Sequence, residues 1–117
     1  MEEDNYTVAF QLITSAGNAR SSALMAIEAA REFDFVGAEN NMKEASEAIC
    51  EAHRIQTEML QQEAAGKPIV LNIILVHAQD HLTMAIETTK NAEEFIHIYK
   101  MLKKVTDKLG IENIVED

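Results

Sequence analysis

Residues 34–68 read DFVGAENNMKEASEAICEAHRIQTEMLQQEAAGKP, and this stretch decides the fold. Its small and apolar residues fall at Ala38, Met42, Ala45, Ile49, Ala52 and Met59, with Gln56 as the one polar member of the series. The steps alternate four and three, which stacks these positions along one stripe of an α-helix and matches no face of a strand. Asp34 stands where an N-cap is wanted, because its carboxylate can accept from the unpaired N–H groups of the first turn. Gly66-Lys67-Pro68 closes the stretch: glycine suits the left-handed residue after a helix, and proline suits the first position of the next. A helix over 35–65 is therefore expected.

Similar patterns lie on both sides. Ala9, Ile13, Ala16, Ala23, Ile27 and Ala30 keep helical spacing over 5–33, with Asp4 or Asn5 as cap. A third helix is expected from Pro68 to about Leu109, followed by a loose tail over 110–117. Its first turns, Ile69 to Val76, are apolar nearly all round. A β-strand is the rival for that run, but its direct continuation into His77–Ala85 favours helix. A helix apolar on every side is buried on every side, and a three-helix bundle of one chain cannot cover every face of its third helix. An oligomer is expected. Lys100, Lys103, Lys104 and Lys108 suit the end of that helix, where cations complement the macrodipole.

Composition agrees with an all-α class. The 117 residues include four Gly and one Pro, too few for the turns of a sheet protein, and many strong helix formers. One domain over 1–117 is the natural count. A single Cys excludes an internal disulfide framework. The formal charge of −10 argues against nucleic acid and anionic membranes. Residues 1–66 hold 12 acids and 4 bases, so most of the excess lies in the first two helices. The start, Met1-Glu2-Glu3-Asp4, has no basic or apolar signal region, and no run is long enough to insert in a membrane, so a cytoplasmic location is expected.

Chemistry concentrates at His77, Asp80 and His81, whose spacing of three and four puts them on one helical face beside the most apolar run of the chain. Three uses fit: metal ligation, an imidazole acting as covalent acceptor of a phosphoryl group, or a structural polar layer that sets helix register. The string is not a zincin motif, because Ala78 stands where its general base would be. His53 can reach the same region from a facing helix. Gln79 points away from His77 on an ideal helix and would act on a neighbouring chain. Cys50 is expected to pack as a small hydrophobe.

Three segments carry a resemblance. Val76-His77-Ala78-Gln79-Asp80-His81-Leu82 resembles the phosphorylation motif of enzyme IIA of the lactose/cellobiose (chitobiose) class of the sugar phosphotransferase system. Ala16-Gly17-Asn18-Ala19-Arg20-Ser21 and Glu51-Ala52-His53, with Gln56-Thr57, are similar to that family's segments in the first and second helices. The resemblance implies an antiparallel three-helix bundle that assembles as a homotrimer. It implies phosphorylation of His77 at Nε2 by phospho-HPr and transfer to a cysteine of the cognate enzyme IIB, for uptake of a β-linked disaccharide. It places Asp80 near a threefold axis, where three copies share one Mg²⁺. Beside the resemblance, two readings stand for His81, a donor to the phosphoryl group or a structural polar contact, and two for Gly17, a point where the first helix approaches closely or a tolerated glycine. The alternative is a helical oligomeric interaction module in which His77, Asp80 and His81 form a structural layer or a metal site.

Overall fold

The computed structural model describes residues 2–112, with side chains from Tyr6 onward. Three helices, α1 (Glu2–Arg31), α2 (Phe35–Ala64) and α3 (Ile73–Leu109), run up, down and up in a rod 63 × 25 × 18 Å. No strand occurs among the described residues, and no helix is long and apolar enough to cross a membrane.

α1 is the spine. Ala9, Leu12, Ala16, Ala19, Ala23, Ala26 and Ala30 are all fully buried and keep the alternating three-and-four step from one end to the other. Ile13 and Ile27, expected on this stripe, only flank it, half-buried. Alanine lets the other two helices approach closely, and α1 packs heavily on both. α2 and α3 touch each other far less. A groove of about 490 Å³ lies between them, walled by Met42, Ile49, Ile86 and Ile96. The expected stripe of α2 faces the core, with Ala38, Ala45, Ala52 and Ile55 buried.

The helix ends follow local chemistry. Asp34 caps α2, its carboxylate accepting from the Gly37 N–H at 2.9 Å. A Cβ on Gly37 would collide with that carboxylate as it stands, so a larger residue there would make the Asp34 side chain shift. α1 stops at Arg31, two residues before its expected end, because Phe33 is left-handed (φ 62°). Phe33 N–H donates to the Ala30 carbonyl and Asp34 N–H to the Ala29 carbonyl, the paired closure usually built on glycine. The Phe33 ring lies under the Lys103 ammonium, and Lys100 lies over Phe35. These contacts hold two of the four lysines of the C-terminal cluster.

The largest departure is the start of α3. Gly66 is left-handed (φ 83°) as expected, but residues 67–72 are not helical, and α3 begins at Ile73 rather than Pro68. Asn72 is extended, and its side chain accepts from the Leu75 N–H at 2.8 Å. An asparagine cap satisfies a first-turn donor, which proline at the helix start cannot do. Half of the apolar run is therefore a strap across the end of the bundle, tied by Ile69 N–H to the Glu63 carboxylate. Asp4 and Asn5, expected as caps, lie inside α1. Gly110 (φ 69°) ends α3, and residues 113–117 of the expected tail lie outside the described residues.

Candidate functional site

The cap at Asn72 sets the phase of α3. It sends Leu75, Ala78, Leu82 and Ala85 into the core, and it leaves His77 and Asp80 exposed and His81 half-buried. His77 and His81, one turn apart, meet edge to face with ring centroids 4.5 Å apart at 86°. Their Nε2 atoms are 3.0 Å apart. That contact needs one proton between the rings: one Nε2–H donates and the other Nε2 accepts with its lone pair. Two lone pairs, or two N–H groups, would repel. When His81 donates, the His77 Nε2 lone pair is the acceptor, and release of that contact leaves it available as a nucleophile.

Gln79 lies on the other side of the helix, half-buried. Its Oε1 accepts from the Gln56 Nε2 at 2.6 Å, so it is engaged within its own chain. Asp80 and this pair line a cavity of about 410 Å³ at the strap end, with Met59, Ile69 and Leu75. In the sequence Gln56 is the polar break in the α2 stripe and part of the family-like segment that begins at Glu51. A polar residue at a core position that needs a partner was the available signal.

Two other expected site residues sit elsewhere. His53 lines the α2–α3 groove beside Ile49, Ile86 and Thr89, not the cavity at Gln79 and Asp80. It lies one turn before Gln56, and antiparallel packing carries it toward the middle of α3. Gly17 is not a point of close approach within the chain, because an added Cβ there would meet nothing within 4 Å. Cys50 is exposed rather than packed. Among the described residues, no three His, Cys, Asp or Glu side chains gather closely enough to hold a metal. One chain therefore offers at Asp80 a single exposed carboxylate, and a cation there would need donors from other copies.

The α2 surface near His53 carries a charge ladder. The Arg54 guanidinium donates to Glu51 at 2.6 Å and to Glu58 at 2.6 Å. The hydrogen bond from Arg54 holds the Glu51 carboxyl below the usual carboxylate range.

Comparison with known proteins places this geometry. A family model described as the lactose/cellobiose-specific IIA subunit of the phosphotransferase system matches residues 7–100. The chain is 39% identical over 110 residues to the lichenan-specific phosphotransferase enzyme IIA component of Bacillus subtilis, covering 94% of this chain and 97% of that one. It is similar to the crystal structure of the cellobiose-specific enzyme IIA from Bacillus anthracis, with a TM-score of 0.82 and 45% identity, over 84% of this chain and 90% of that one. It is also similar to the chitobiose IIA of Escherichia coli solved in complex with HPr, with a TM-score of 0.74 and 32% identity, over 85% of this chain and 96% of that one.

Proposed function

Because this chain belongs to the lactose/cellobiose-specific IIA family of the sugar phosphotransferase system, we propose that His77 accepts a phosphoryl group from phospho-HPr and hands it to a cysteine of a cognate enzyme IIB. The sugar would be a β-linked disaccharide and the site of action the cytoplasm. The observation that carries this is the exposed His77 Nε2 held 3.0 Å from the His81 Nε2.

His77 Nε2 attacks phosphorus in line, and the P–N bond to the HPr histidine breaks as the new P–N bond forms. The charge of the transition state sits on the equatorial oxygens, so positioning and hydrogen-bond donation do most of the work. Before attack His81 donates to the His77 lone pair. Afterwards that lone pair holds phosphorus, and the same His81 Nε2–H is free to donate to a phosphoryl oxygen. In the second transfer a cysteine thiolate of enzyme IIB takes the phosphoryl group and His77 leaves as neutral imidazole.

The protein would work as a homotrimer. Ile73, Val76, Met84, Ile98, Met101, Val105 and Leu109 are exposed on the side of α3 away from the core, a larger apolar surface than a monomer usually shows. Three such helices around an axis would bring three Asp80 carboxylates together. Mg²⁺ shared between them would supply the positive charge that keeps them from repelling.

Incubation with phosphoenolpyruvate, enzyme I and HPr tests the proposal. Wild type should take up one acid-labile phosphoryl group per chain, seen by phosphorus NMR on Nε2, and His77→Ala none. Uptake by His77→Ala would refute the assignment.

A further inference from the structure

The α2–α3 contact is the weak seam of the bundle. Two side-chain hydrogen bonds cross it: Gln56 to Gln79 at 2.6 Å, half-buried, and Lys100 to Glu39 at 3.4 Å, exposed and at the far end. Between them runs the open groove. On the α1 side the core stripe of α3 sets Leu75 and Leu82 beside Ala78, Ala85 and Ala92, so the two leucines grip the helix near His77 while the alanines add little resistance to rotation about its axis. Glu63 of α2 borders the same cavity as Gln79 and Asp80, but its carboxylate accepts from the Ile69 N–H of the strap. Gln79 sits one residue from Asp80 and two from His77 on a continuous helix, so any roll at Gln79 is the same roll at both.

We propose that Gln56 is a positioning residue for phosphoryl transfer: its hydrogen bond to Gln79 locks the roll of α3 and thereby aims His77. This rests on the function proposed above. Side chains reach roughly 6 Å from a helix axis, so a roll of about 10° displaces the His77 ring by about 1 Å. An error of that size costs about 100-fold in a reaction that depends on alignment. The two amides are matched, one donating and one accepting, which is how buried polar pairs select one register among several of similar packing energy.

The test compares Gln56→Leu, the double variant Gln56→Leu/Gln79→Leu, and Gln56→Glu. The double variant leaves no unpaired amide and keeps the cavity filled, so it should unfold at the wild-type temperature or above. It should nonetheless accept phosphoryl groups from phospho-HPr roughly 10- to 100-fold more slowly, with the stoichiometry still one per chain. The imidazole ¹⁵N shifts that report the His77–His81 hydrogen bond should stay as in wild type, because both rings ride on α3 and roll together, so the slowing reads as a mis-aimed pair rather than a broken one. Gln56→Glu should restore the rate to within a few-fold, because the Gln79 amide can flip and donate to the carboxylate. A wild-type rate in the double variant would overturn the proposal, as would imidazole shifts that move to those of separate rings, or slowing that only parallels loss of folded protein in Gln56→Leu. A wild-type chain that accepts no phosphoryl group would instead overturn the functional assignment on which the proposal stands.

Discussion

Gly17→Ala should stabilise this protein. Gly17 lies in the interior of α1, half-buried, and the space its Cβ would occupy has no atom within 4 Å. Its backbone is helical and its φ is negative, so alanine adopts the conformation without strain. The gain is then the helix-propensity difference, about 1 kcal/mol, most of it from the smaller freedom of the unfolded chain. For a chain between the sizes for which such shifts are tabulated, that raises the unfolding midpoint by about 4 °C. The assay is thermal unfolding by circular dichroism at fixed protomer concentration, because assembly would make the midpoint concentration-dependent. A midpoint that stays or falls would refute the reasoning, since it would mean that another molecule packs against the bare Cα. Phosphoryl uptake measured beside it separates the two cases: unchanged uptake leaves Gly17 with no part in the site.

Gly37→Ala should lack the gain of Gly17→Ala, because its Cβ makes the Asp34 carboxylate shift and the loss of that cap, about 1 kcal/mol, cancels a helix-propensity gain of the same size; a midpoint raised as far as that of Gly17→Ala in the same melt would refute this. His81→Ala should slow uptake of the phosphoryl group about 100-fold, the usual cost of one aimed donor, without abolishing it; uptake at the wild-type rate would remove His81 from the mechanism. Asp80→Asn should leave the proposed trimer intact while making its mass, measured under native conditions, insensitive to Mg²⁺ chelation. Glu51 has its carboxyl lowered by the Arg54 hydrogen bond. A lowered carboxyl stabilises above its unfolded value and loses that contribution as pH falls, so Arg54→Ala should narrow the drop in melting temperature below about pH 4.

What the sequence made legible was whatever depends on spacing and local chemistry. The α2 stripe, the Asp34 cap and the left-handed Gly66 follow from period and cap preference, and all three stand in the structure. The stripe of α1 was shifted because Ile13 and Ile27 weigh more on any hydrophobicity scale than Leu12, Ala19 and Ala26. Close helix packing selects for small volume instead, and put the alanines inside. The start of α3 was missed because Pro68 is a strong signal and Asn72 a quieter one, yet only Asn72 offers an acceptor to the first turn. Phe33 fills a place that propensity reserves for glycine, held there by its neighbours. In the site, the His77–His81 pair lies within one helix, and its spacing was enough. The level at which α2 meets α3 is a property of two helices and one loop. So Gln56, not His53, meets α3 at the level of Gln79 and Asp80, and His53 faces it farther along the groove.

The alanine spine of α1 also bears on how the chain is made. Since α2 and α3 depend on α1 far more than on each other, a hairpin of the last two helices has little to hold it. Synthesis runs the other way: α1 emerges first, and α2 can fold back on it across the tight turn at Phe33 before α3 is made. The third helix, with its histidine pair, then closes onto a surface already formed. The helix that bears His77 would thus be the last to dock, and α2 and α3, which lean on α1 alike, should open in native-state hydrogen exchange before the spine does.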